Sequence, residues 1–263
     1  MENPLFKNQE KQIDKSLEIT PHSLLTEKKI LDKVVRKHYM EATQDYLILT
    51  VENIKAFSLC LESRIDYYKS KGISNPVIVE VGAGNGRLSH FLEEKLKQDN
   101  YIYDIIPTDN FSWEKTAKEK IQPHFNVAPY NHKESANLFN PTIVICSMMT
   151  PDGDLSKVFR SNQNVQEYIL LGHRIGTGHD WETHGENYFS VKDEGSTPDF
   201  IKGGFERLEI DEVSKHLIQC ESVRNSTPSN EDEESIKHGK TYRCDSFRRI
   251  TLDTEKDLTS NLN

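Results

Sequence analysis

The sequence is short of cysteine, has no long apolar run and carries no excess of positive charge, and each shortage closes off a class of function. Cys60, Cys146, Cys220 and Cys244 are the four cysteines in 263 residues, and no two form a Cys-x-x-Cys pair. That spacing gives little support to a zinc knuckle or a disulfide framework and leaves reduced, mostly buried thiols as the simplest reading. No apolar stretch approaches the ~18 residues that would cross a bilayer. The polar, mixed-charge residues 1–15 do not have the pattern of a signal peptide, so a cytoplasmic address is the expectation. Lys and Arg number 33 against 42 Asp and Glu, for a formal charge of -9. No global field gathers phosphate backbones, and nucleic acid is disfavoured as a partner.

What is present suits a globule. Hydrophobic residues make up 35% and charged residues 29%, enough for a core and a solvated surface. At roughly 150 residues per domain, one large domain with an appendage accounts for the length. Residues 1–26 lack a sustained period and form a loose lead-in. Ile30, Leu31, Val34, Val35, Tyr39 and Met40, then Val51, Ile54, Phe57, Leu61, Ile65 and Tyr68, recur at helical spacing, which predicts amphipathic helices over 28–47 and 51–71. Residues 1–71 are thus a lead-in and helical extension, and 72–263 the main domain.

That domain opens with Val77-Ile78-Val79-Glu80-Val81, a β-branched run suited to a strand buried on both faces, followed by Gly82-Ala83-Gly84-Asn85-Gly86. Leu88, Phe91, Leu92 and Leu96 then mark one face of a helix. The alternation repeats, with strands predicted over 103–108, 142–147 and 168–171 and helices over 113–121 and 155–160. Alternating strands and helices imply an α/β fold with a Rossmann-like, mainly parallel sheet. Beyond Leu171 helices are not expected. Strands over 205–210, 217–220 and 246–252 would finish the sheet in antiparallel fashion, and 221–240, with its acidic run Glu231-Asp232-Glu233-Glu234, reads as a disordered loop.

The sequence Glu80-x-Gly82-x-Gly84-x-Gly86 sits where a strand hands over to a helix. Glycines there let the backbone bend sharply and approach a ligand, while the helix start offers unpaired N–H groups. The spacing departs from the dinucleotide fingerprint, since the third glycine comes one residue early and Arg87 stands where that fingerprint has glycine. A phosphate loop would need Gly-Lys-Ser or Gly-Lys-Thr, also absent.

The stretch VIVEVGAGNGRLSHFL resembles motif I of the class I S-adenosylmethionine-dependent methyltransferases, in which an acidic residue, one further residue and Gly-x-Gly-x-Gly follow the first strand. The resemblance covers the stretch from Val77 to Leu171. It implies that S-adenosyl-L-methionine is the cofactor, that Glu80, Gly82, Ala83, Gly84, Asn85 and Gly86 form its cradle with Cys146 as a further contact, and that Asp109 holds both ribose hydroxyls. The fold expected is that of a class I methyltransferase with antiparallel C-terminal strands and an N-terminal helical extension. Family members that methylate amino groups of nucleic-acid bases carry Asp or Asn, then Pro-Pro and Tyr or Phe, after the fourth strand. Here Cys146-Ser147-Met148-Met149-Thr150-Pro151 stands instead, which is similar to a group of uncharacterised eukaryotic methyltransferase-like proteins with Cys-Ser-Trp-Met-Pro. A small molecule or a protein side chain is therefore the expected acceptor. The alternative is a non-catalytic cofactor-binding or interaction module with the same fold.

Residues 172–185, Gly-His-Arg-Ile-Gly-Thr-Gly-His-Asp-Trp-Glu-Thr-His-Gly, follow a strand end, the side where open α/β sheets bind ligands. Three readings stay open. His173, His179, Asp180 and His184 could ligate a metal, although no zinc spacing is met and none is assigned. The loop could contact substrate, with Trp181 as a wall and His179 or His184 as catalytic base, or it could be structural. Cys146 could be a nucleophile but fits better as a small buried residue, and Met148 and Met149 fit a pocket wall or core.

Overall fold

The computed structural model describes residues 19–30, 33–43, 47–112, 123–149, 154–173, 183–185, 197–218 and 242–250. Its centre is a six-stranded sheet built from β1 (Ile78–Val81), β2 (Ile105–Thr108), β3 (Ile143–Ser147), β4 (Glu167–His173), β5 (Phe205–Glu209) and β6 (Tyr242–Arg249), in the order β2-β1-β3-β4-β6-β5. The first four strands are parallel, as the alternation of elements implied, while β6 pairs antiparallel with β4 and β5 antiparallel with β6. One register row runs Thr108, Val81, Cys146, Leu170, Asp245 across five strands. Each β1 residue is buried, because helices cover both faces.

One face carries Ile78, Ile143, Ile145 and Ile169 against α3 (Val51–Ser70) and α4 (Arg87–Gln98), which contribute Phe57, Leu61, Ile65, Leu92 and Leu96. The other face carries Val79, Val81, Val144 and Leu170, packed with Phe159 of α6 (Ser156–Ser161) and with Phe200 of α7 (Asp199–Lys202). Helix α5 (His132–Phe139) precedes β3, and α8 (Asp211–Ser214) follows β5.

Several sequence expectations are corrected. The helix expected over 28–47 is two helices, α1 (Glu27–Ile30) and α2 (Lys33–Thr43), and Leu47 belongs to an extended stretch in which Ile48 bridges Ile218 and Thr50 bridges Leu25. Leu47, Ile48, Leu49 and Thr50 are all buried, so this stretch needs apolar cover on every side, which one helical stripe would not provide. The run expected as a strand over 217–220 contributes that single bridge at Ile218, and 219–220 lie outside the described residues. Two short helices, α7 and α8, occur beyond Leu171, where none was expected. Strand β6 begins at Tyr242, four residues before the expected start. Residues 113–121 and 221–240 lie outside the described residues, and α5 was not anticipated. Its start is fixed by a capping box in which Asn131 accepts from the Glu134 backbone N–H and the Glu134 carboxylate accepts from that of Asn131.

Candidate functional site

At the carboxyl end of β1 the chain turns through Gly82, Gly84 and Gly86 with φ of +71°, +56° and +80°. Positive φ favours glycine at all three, but their surroundings differ. Among the described residues, a Cβ built on Gly82 or Gly84 would meet no atom within 4 Å, whereas one on Gly86 would come 2.8 Å from Val127 Cγ2. Against those residues the first two glycines border open space, and the third allows close packing. The Ala83 N–H donates to the Thr108 carbonyl at 3.0 Å, which ties the turn to the end of β2.

Glu80 points back beneath this turn, where its Oε2 accepts from the Ser89 backbone N–H at 3.1 Å and from the Ser89 hydroxyl. A buried carboxylate thus serves the first turn of α4, where helix N–H groups need acceptors and favour negative charge. Asp109, just past β2, is also largely buried. Its Oδ2 accepts from the Gly84 N–H at 2.9 Å and its Oδ1 from the Phe111 N–H at 2.6 Å. Its backbone N–H donates to Ala128, whose own N–H donates to Pro107, so residues 123–128 add one parallel bridge outside β2.

Asn85 is held from three sides. Its Oδ1 accepts from the Arg87 N–H at 3.1 Å, its carbonyl accepts from the His124 and Phe125 N–H groups, and its Nδ2 donates to the Thr43 carbonyl at 2.8 Å. Phe125 stacks on His90 with ring centroids 3.9 Å apart and meets the edge of His22 at 5.1 Å. Arg87 is completely buried among these groups. Sequence reasoning gave it no role.

Cys146 lies between Val81 and Leu170 in the register and is 1% exposed. Burial, with the Glu80 and Asp109 charges adding, pushes its thiol up to about 12, so it stays protonated and is no nucleophile at neutral pH. The chain leaves β3 through Met148 at φ +53°, which turns Met149 back into the buried interior.

Of the loop over 172–185, only Gly172, His173 and 183–185 fall among the described residues, so the expectations for His179, Asp180 and Trp181 lie outside them. His184 is buried with Nδ1 3.4 Å from Asp245 Oδ2, a carboxylate that Arg207 and Arg243 also pair with, at 3.1 Å and 2.6 Å. Thr183 donates to Asp154, and Gly185 packs against Pro198 and Phe200. Beside this cluster Cys146, Met149, Gly172, His184, Arg243 and Asp245 line a void of about 10 Å³, room for one water-sized group. Asp245 stands three strands from Val81 in the register row, about 14 Å at the usual spacing. The structure thus gathers Glu80, Gly82, Ala83, Gly84, Asn85, Gly86 and Asp109 at the ends of β1 and β2, with Cys146 next to them on β3, and sets His184 in a buried cluster with Asp245 that shares a small void with Cys146.

No protein-family model and no curated protein matches the sequence. Among solved structures, the chain is similar to the magnesium protoporphyrin IX methyltransferase of Synechocystis PCC 6803 with bound SAM, at 12% identity and a TM-score of 0.32 over 74% of this chain and 80% of that one. It is similar to the plantazolicin methyltransferase in complex with SAH at 12% identity and a TM-score of 0.37, over 83% and 91%. A SAM-dependent O-methyltransferase from Thermotoga maritima gives 8% identity and 0.37, over 84% and 71%. At these values the residues of the turn, and not the likeness, bear on function.

Proposed function

We propose that the chain belongs to the class I methyltransferase superfamily, binds S-adenosyl-L-methionine at the ends of β1 and β2, and transfers its methyl group to a small molecule or a protein side chain. The observation that carries this reading is the asymmetry of the glycine turn, in which Gly82 and Gly84 leave open the space that side chains would fill, beside an acidic residue at the end of the next strand. The residues fit the cofactor. Gly82 and Gly84 allow its amino-acid part to lie against the backbone, and Asp109 supplies the carboxylate acceptor that two ribose hydroxyls require. When bound, the cofactor supplies a methyl group on a sulfonium, already a good leaving group. The protein's task is then mainly to orient the acceptor in line with that methyl and to exclude water. Cys146 and Met149 are the wall on the β3 side. His184, which shares the small void with Cys146 and Met149, and His179 stay the candidate bases.

Isothermal titration with S-adenosylmethionine and with its demethylated product tests the cofactor, and radiolabelled methyl transfer into extract tests turnover. Micromolar binding with a labelled product is expected. Binding without product from any suitable extract favours the non-catalytic module, and no binding of either compound sinks the reading.

A further inference from the structure

Arg87 begins α4, where the helix dipole disfavours a cation, and its guanidinium is wholly buried, which is costly without partners. Those partners come from the N-terminal segment. Nη1 donates to the Pro21 carbonyl, and Nη2 donates to the Ser23 carbonyl at 2.9 Å and to the Tyr39 hydroxyl at 2.8 Å. Tyr39 in turn donates to the Leu49 carbonyl at 2.8 Å. The guanidinium also lies 5.4 Å and 5.1 Å from the ring centroids of Tyr39 and Phe91. Two residues earlier, inside the glycine turn, Asn85 donates to the Thr43 carbonyl. The turn is therefore fastened at two points to one segment, residues 19–50, whose own small core is Leu25, Ile30, Tyr39 and Ile48 with Ile218.

We propose that Arg87 is a positioning residue that makes residues 19–50 a working part of the cofactor site, so that docking of this segment and binding of cofactor favour each other. The inference rests on the functional reading above. Arg87 donates to backbone carbonyls and a phenol, and its part is to hold the turn rather than to contact the cofactor. Its effect passes through Asn85 and the glycine turn, whose shape depends on both ends being held. If docking shapes the turn for the cofactor, linkage requires the cofactor to stabilise docking by the same factor.

Hydrogen exchange of the intact chain, with and without saturating S-adenosylmethionine, reads this directly. Amides in 19–30 and 33–43 should exchange at least threefold more slowly with cofactor present. By titration, Arg87→Met should weaken S-adenosylmethionine at least tenfold and abolish that protection, with Arg87→Lys intermediate. Tyr39→Phe, which removes one acceptor from Arg87 and keeps the ring, should weaken it two- to fivefold in a protein that stays folded. A purely structural Arg87 would lower the melting temperature and leave N-terminal exchange indifferent to cofactor. Cofactor-independent exchange in the unaltered protein, or wild-type affinity in folded Arg87→Met or Tyr39→Phe, overturns the proposal even if Arg87→Met fails to fold. Failure of the unaltered protein to bind S-adenosylmethionine overturns the functional reading and this one with it, a result recognisable before any variant is made.

Discussion

Gly84 and Gly86 share a left-handed backbone and differ in what lies beyond it, so the same substitution should have different consequences at each. Gly84→Ala adds a methyl group to open space and costs about 1–2 kcal/mol for the strained φ. It should lower S-adenosylmethionine affinity at least tenfold, by titration, while the protein stays folded. Gly86→Ala adds a collision with Val127 to the same strain and should give the larger drop in thermal midpoint. Asp109→Asn removes the charge from two short backbone hydrogen bonds and from the ribose contact. A loss of about 1.5–3 kcal/mol is expected for charged hydrogen bonds, measured by titration, and a loss below twofold would place the ribose partner elsewhere. The turn was legible in the sequence because positive φ writes itself as glycine. Arg87 was not, because the carbonyls of Pro21 and Ser23 carry no residue signature and stand 66 and 64 positions away. The pairing of His184 with Asp245 joins two distant segments and was equally silent.

Among the elements, the parallel strands were legible because continuous β-branched runs have one comfortable home, between two helical layers. The boundaries that moved are those where tertiary cover outweighed periodicity, as at Leu47 to Thr50. Helix α5 was missed although Asn131 and Glu134 carry a start signal, because its apolar stripe is short. Asn131→Ala removes the side-chain half of that box, keeps the backbone N–H that Glu134 accepts from, and should cost about 1 kcal/mol, read as a lowered urea midpoint with unchanged slope. Met148 is the converse case, a long side chain in a conformation that favours glycine. Met148→Gly should relieve about 1 kcal/mol of backbone strain and give some of it back through unfolded-chain entropy. Net stability is expected to change by less than the Gly84→Ala cost, measured the same way.

Across the whole molecule, acid is the expected weakness. His90 and His124 are both held below the ordinary imidazole value, chiefly by burial. Arg87 and His22 add to the effect at His124, while at His90 Glu94 opposes it. His132 is lowered by burial and by Lys133. Lowered folded values mean that the unfolded chain takes up these protons first, near pH ~6.5. The stability is therefore in place above that value and is lost as pH falls below it. The urea midpoint should drop between pH 7.5 and 5.5, and His90→Gln combined with His124→Gln should shrink that drop. An unchanged difference in the double variant would assign the acid sensitivity to other groups.

The fastening of residues 19–50 to the glycine turn also sets an order of events during synthesis. Pro21, Ser23 and Tyr39 leave the ribosome before Arg87 is made, and Phe125, against which His22 rests, comes later still. At translation rates of about 5–20 residues per second, the segment waits for several seconds with its buried-to-be surface exposed. Its small core draws on Ile218, so even that core is incomplete until most of the chain exists. During that interval the N-terminal segment offers its unpartnered groups to chaperones and proteases.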